Sequence, residues 1–300
     1  MFSLSTSWNA HRHTSGRALV NEIKAIGFDT VELNFTLTEK VVEEILAHQA
    51  RLGIKVSSLH NICPLPREVS PERASPDYYA LSSDDADERR LAVKAAERTL
   101  LYAKRFGAAA IVVHAGRVPV KDRTRDLAVT IDDKGRFAEF RVNAIRERRE
   151  HSGGCIGNVI KSLEELVPFA QGVGVAIGIE NRYYYREIPI LEEFDILFRH
   201  FKPGEIYYWH DTGHAEVFDR LGLVSHKELL SRFSGRLLGI HLHDIIGPIT
   251  DHQAPGLGTF DFSIIRPHLR PETIMVMEVH APASADQIRA GEQYLTKILK

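Results

Sequence analysis

A closed (β/α)8 barrel of parallel strands is the fold class this sequence predicts, and three observations predict it. Short apolar runs rich in Val and Ile recur eight times along the 300 residues. Longer amphipathic stretches separate them, which is the rhythm of repeated βα units. The last six runs end on or near a histidine or a carboxylate, namely His60, His114, Glu180, Asp211, His241 and Glu278. In a barrel those positions share one mouth, where side chains from different strands can form one site.

Taken in order, the predicted strands are Phe2–Thr6, Thr30–Asn34, Ile54–His60, Ala109–His114, Val175–Glu180, Ile206–Asp211, Leu237–His243 and Thr273–His280. A helix is expected after each. Gly16–Ile26 ends at Gly27, Glu39–Leu52 at Gly53 and Asp84–Phe106 at Gly107, and glycine is the residue that most easily adopts the left-handed turn closing a helix. The Ser-Asp-Asp start of the third supplies a cap and a negative charge at the positive end of the helix dipole. An open doubly wound sheet is the structural alternative.

Two connections exceed ordinary barrel loops. Residues 61–83, rich in Pro and Ser, follow the third strand; residues 115–157 follow the fourth and contain Asp132-Asp133-Lys134-Gly135, read as the turn of a small hairpin. Long loops at this end of a barrel build a substrate pocket or lid. No linker or low-complexity tract divides the chain, so residues 1–300 are read as one barrel domain.

Composition narrows the function. Hydrophobic residues at 44% and charged residues at 26% are those of a folded, water-soluble protein, and no apolar stretch is long enough to span a bilayer. A net charge of -2 gives no global attraction to nucleic acid. Two isolated cysteines, Cys63 and Cys155, make no disulfide framework, and the first residues lack a secretory pattern, so a reducing cytoplasm is expected. There is no Walker motif and no complete GxGxxG, which argues against an ATPase or a dinucleotide enzyme.

The clustered acids carry the chemistry. Several carboxylates facing one mouth repel each other unless protons or a cation neutralise them. HDTGHAEVFD (His210–Asp219) places Asp211 at a strand end and His214 three residues on, after a glycine that allows a sharp turn. In GIHLHD, alternation puts His241 and His243 on one face, His241 deeper, with His243 either a ligand or a group that orients one. DHQAPGLGTFDF (Asp251–Phe262) suggests a tight turn presenting Asp251 and His252. After Glu180, Arg182 and the tyrosines 183 to 185 offer a wall for stacking and anion contact, with at least two of the tyrosines expected to pack beneath a helix instead.

These motifs, IEN at Glu180, HDTGHA, HLHD and PGLG from Pro255, resemble the xylose isomerase-like barrel superfamily, which includes tagatose-type sugar epimerases, inosose dehydratases and endonuclease IV. The resemblance to the epimerases implies one divalent ion held by Glu180, Asp211, His241 and Glu278, with Glu180 and Glu278 as the catalytic acid-base pair. The resemblance to endonuclease IV adds His60, His114, His214 and His252 as ligands. It departs at Thr250, where that pattern has an acid and this chain has Asp251 one step late, and at HAGR after the fourth strand. Expected substrate contacts are His60, His114, Arg182, His214 and His243, with Arg117 and Lys121 as anion contacts for a phosphorylated substrate. Carboxylate and imidazole donors without thiolate suit Mn, Mg, Co or Zn.

The expectation is therefore a metal-dependent isomerase or epimerase of a sugar or sugar phosphate. The alternatives are a phosphodiesterase acting on abasic DNA and a non-catalytic metal or carbohydrate binder. Oligomeric state is left open, with homo-oligomers common in general.

Overall fold

A computed structural model describes residues 1–300. Eight parallel strands close into a barrel: β1 (Phe2–Ser5), β2 (Thr30–Leu33), β3 (Lys55–His60), β4 (Ala110–Val113), β5 (Ala176–Glu180), β6 (Tyr207–Asp211), β7 (Leu237–Leu242) and β10 (Ile274–Met277), with β1 joining β10 to β2. Each lies inside a predicted run. Period-two alternation sends one side-chain set outward to the helices and the other into the barrel, so a short apolar run is buried on both faces.

The helices are α1 (Gly16–Ala25), α2 (Glu39–Leu52), α3 (Ala86–Phe106), α4 (Thr124–Thr130), α5 (Lys134–Val173), α6 (Leu191–His200), α7 (Thr212–Arg220), α8 (His226–Phe233) and α9 (Ala285–Leu299). Helices α2 and α3 stop where the glycines predict, Gly53 and Gly107 having φ of +59° and +70°. Asp85, within the Ser-Asp-Asp start, caps α3, its side chain accepting the Asp87 N–H.

The expected hairpin around Asp132 is absent. Asp133 instead caps α5, accepting the Arg136 N–H at 3.1 Å, and 40 residues continue as helix. Phe137, Phe140 and Ala144 recur at three- and four-residue spacing, a helical period that local alternation masked. The connection after β4 is thus a short loop followed by helices, whereas residues 61–85 after β3 are irregular apart from one turn at Pro71–Arg73.

Nor does an α-helix follow β7. Gly247, Pro248, Pro255, Gly256 and Gly258 interrupt that segment, which forms an antiparallel pair, β8 (Asp244–Ile246) with β9 (Thr250–Gln253). The Asp244 carboxylate then accepts the N–H groups of Gly256, Gly258 and Phe260 at 2.9 to 3.0 Å, so the glycine-rich turn wraps this acid.

Beneath the mouth, Trp209 packs with Ala110, Val112 and Val276 from β4 and β10. Glycines 178 and 239 leave room for it: a methyl at Gly239 would stand 2.3 Å from the indole. The ring of Trp209 in turn backs that of His241, centroid to centroid 5.2 Å. No helix is long and apolar enough to cross a membrane.

Candidate metal centre

Four adjacent strand ends bring Glu180, Asp211, His241 and Glu278 together. Strand register pairs Asp211 with His241, and Glu278 follows the β10 residue that pairs with Leu242. His241 Nδ1 lies 2.6 Å from Glu180 Oε1, 3.0 Å from Glu278 Oε2 and 3.6 Å from Asp211 Oδ2. One donor atom from each residue fits within a 4.8 Å span.

All four are buried. Burial alone would lift the carboxyls; the neighbouring histidines instead hold Glu180 and Asp211 well below the usual range. Burial likewise opposes charge on His241, but Glu278, Glu32 and Glu180 hold its imidazolium well above the usual value. Three buried carboxylates thus converge on one imidazole, with oxygen and nitrogen donors only. A divalent ion of the Mg, Mn, Co or Zn kind fits that donor set and would offset its charge.

His60 and His114 adjoin this centre. His114 Nε2 is 2.6 Å and His60 Nε2 3.5 Å from Glu180 Oε2, so the two oxygens of Glu180 face different clusters. His60, His114 and Glu180 also place donors within 4.8 Å of one another, as do His214, His243 and His252.

In the third group, His243 has both ring nitrogens engaged. Its Nδ1 accepts the His252 N–H at 2.9 Å, which puts its proton on Nε2, 2.9 Å from both oxygens of Asp211. Of the two roles the sequence left open, this geometry matches a group that orients Asp211. His252, at φ +53°, is lowered to about 3 by burial. Gly213 forms no sharp turn but lies in the first turn of α7, where a methyl would stand 2.2 Å from the His243 ring, so the glycine lets that ring pack against the helix. Asp251 Oδ2 is 3.7 Å from His214 and 3.5 Å from His252.

A cavity of about 400 Å³ opens above these groups, and only three of its 16 lining residues are hydrophobic. Glu278, His60, His114, His214 and His252 reach its wall, whereas Glu180 sits behind His60 and His114. The 61–85 loop contributes Asp77, whose Oδ2 accepts from Arg182 Nη2 at 3.0 Å; the same nitrogen donates to Glu187 at 3.0 Å. Arg182 therefore lines the cavity with its charge already matched by acids.

Arg117 and Lys121 lie outside the cavity wall and are exposed, so neither stands where an anion contact was expected. Exposed Arg125, at the mouth, is the cation the sequence reading missed. Of the three tyrosines, only Tyr185 is buried, against Phe218; Tyr183 and Tyr184 line the cavity. Sequence reasoning also passed over Asp77, Glu187 and His280, the last stacked on His252 at 3.7 Å and legible only as the terminal residue of the eighth run.

Among curated proteins no sequence matches the chain. Solved structures match over its whole length: a D-tagatose 3-epimerase-like protein at 17% identity, TM-score 0.70, covering 99% of this chain and 96% of that one. A 3-keto-D-glucoside 4-epimerase from E. coli follows at 18% identity and TM-score 0.67, covering 99% and 98%. An AP endonuclease, family 2, from Brucella melitensis stands at 14% and 0.66, covering 99% and 98%. At such identities these likenesses speak to fold. The sequence match over residues 20–298 goes further, and with it the chain belongs to the xylose isomerase-like TIM barrel family.

Proposed function

We propose that this protein is a divalent-metal-dependent isomerase or epimerase that moves a proton on the carbon next to a carbonyl of a sugar or sugar phosphate. The observation that carries the reading is the placement of Glu278 and the His114–Glu180 pair around one four-donor locus, at the floor of a small, mostly polar cavity. About 400 Å³ suits a small molecule and not a duplex.

A bound divalent ion would supply Lewis-acid stabilisation of the negative charge that develops on the substrate oxygens. The chain does the proton work. Glu278 faces the cavity and takes the proton from carbon on its side. On the other side His114 meets the substrate with Glu180 accepting its Nε2–H, and this pair returns a proton to the substrate carbon, so Glu180 acts through His114. His60 and His214 contact substrate hydroxyls from the wall, and Arg182 donates to them while Asp77 and Glu187 hold it in place.

The test is exchange. Purified protein supplied with Mn²⁺ is incubated in D₂O with a panel of ketoses, aldoses and their phosphates, and deuterium at the carbon beside the carbonyl is followed by NMR. Exchange that Glu278→Gln removes supports the reading; no exchange with any member of the panel sinks it.

A second reading is favoured by one feature, the two donor clusters that share Glu180. Phosphodiester hydrolysis uses ions about 3.5 to 4 Å apart to clamp attacking and leaving oxygens. Nicking of an abasic duplex with Zn²⁺ or Mn²⁺ supplied would favour it over isomerisation. Sugar binding with neither reaction would leave a binding protein.

A further inference from the structure

Strand β2 carries a carboxylate with no solvent to face. Glu32 is fully buried in the barrel interior, because Val31 and Leu33 take the outward positions and alternation leaves Glu32 pointing in. Its partners are few: Ser58 Oγ donates to Oε2 at 2.7 Å, and His241 Nε2 lies 3.0 and 3.2 Å from the two oxygens. No Lys or Arg pairs with it. A buried carboxylate is costly, and an apolar residue would serve the barrel core as well or better, so the fold itself does not account for Glu32.

The neighbour accounts for it. A carboxylate facing Nε2 requires a proton on that nitrogen, since two lone pairs would otherwise oppose each other. With Nε2–H committed to Glu32, the lone pair that can serve an ion is on Nδ1. That nitrogen already points at Glu180, Glu278 and Asp211, at 2.6, 3.0 and 3.6 Å. Trp209 closes one side of the ring and Ser58 pins the carboxylate from behind, so both members of the pair are held from a second direction.

We propose that Glu32 is a positioning residue for the metal centre: it fixes the tautomer and orientation of His241 so that Nδ1 binds the ion. The inference rests on the four-donor centre described above. Outer partners that orient a ligating imidazole typically change metal affinity 10- to 100-fold when removed.

The experiment measures Mn²⁺ binding to the full chain, following free Mn²⁺ by electron paramagnetic resonance, for wild type, Glu32→Gln, Glu32→Leu and His241→Ala. Glu32→Leu is expected to weaken binding at least 10-fold. Glu32→Gln, which still accepts a hydrogen bond, is expected to retain more affinity. Wild-type affinity in both Glu32 variants, with affinity lost in His241→Ala, overturns the role of Glu32 and leaves the centre standing. Wild-type affinity in His241→Ala as well overturns the centre itself.

Should Glu32→Leu not fold, the ¹⁵N spectrum of the wild-type histidine rings loaded with Zn²⁺ decides. A His241 ring protonated on Nε2 supports the assignment, and one protonated on Nδ1 overturns it.

Discussion

Arg148 and Glu193 meet in a buried two-point ion pair, Nη1 to Oε1 at 2.7 Å and Nη2 to Oε2 at 2.8 Å, which ties α5 to α6. The same guanidinium donates to the carbonyls of Tyr185 and Glu187 at 2.6 and 2.7 Å, so it also fixes the segment that carries Arg182's partner. Replacing it leaves Glu193 buried without its counter-charge. Arg148→Ala should lower stability by about 3 to 5 kcal/mol, read by urea denaturation. Arg148→Met with Glu193→Leu should recover much of that, and a double variant as unstable as the single one would refute the account.

Glu278→Gln keeps the shape of the side chain and removes its capacity to take a proton. Turnover on the substrate found by exchange should fall about 10²- to 10⁴-fold. Because the residue is a proposed ligand, Mn²⁺ binding is measured on the same preparation. A fall in turnover at full metal occupancy assigns the loss to proton transfer, and full turnover at full occupancy rules it out.

His114→Ala separates two roles of an imidazole that touches both the cavity and Glu180. If His114 meets the substrate, kcat falls with the number of bound ions unchanged. Loss of one bound ion per chain would instead place His114 in a second metal site.

Removal of the ion should cost stability because the folded chain alone presents the clustered donors. At a metal concentration 100 times Kd, binding contributes about 2.7 kcal/mol. Dialysis against chelator should therefore lower Tm by several degrees, restored by Mn²⁺ or Zn²⁺ but not by K⁺. An unchanged Tm in the presence and absence of metal would count against the centre.

Thiol chemistry gives a pH test away from the site. Cys63 is fully buried and burial pushes its thiol far up; Cys155 is buried and shifted the same way. The thiolate is the reacting form, so an upward shift leaves less of it at any pH below the shifted value. Between pH 7 and 9 the native protein should react with a thiol reagent at neither cysteine, and both should react at once in guanidinium. Rapid labelling of native Cys63 at pH 8 would contradict its packing.

The eight strands could be read from the chain because alternation is a local rule; residue type at the strand ends marked six candidate donors, and the resemblance to the epimerases singled out four of them. Other parts depend on what lies across the barrel. Glu32 in TVELN is an ordinary strand glutamate until His241, 209 positions away, is placed against it. Asp77 sits in a loop without periodicity, and nothing in its neighbours announces Arg182. The Asp132–Gly135 run suggests a turn but opens a helix, because turn residues also cap helices, and Asp133 does that. The absence of a helix after β7 was written in its prolines and glycines but outweighed by the expectation of a repeat.

Glu180 stands at a fork, one oxygen toward His241 and the other toward His114. Two neighbouring cation loci that share a carboxylate cannot fill independently: whatever settles on one side turns or drains the charge offered to the other. Loading curves should then be non-hyperbolic if both loci fill, and a substitution of Glu180 will erase the two together. Changes at the outer arms, His60 or His114 on one side and Asp211 on the other, can reveal which locus the chemistry needs.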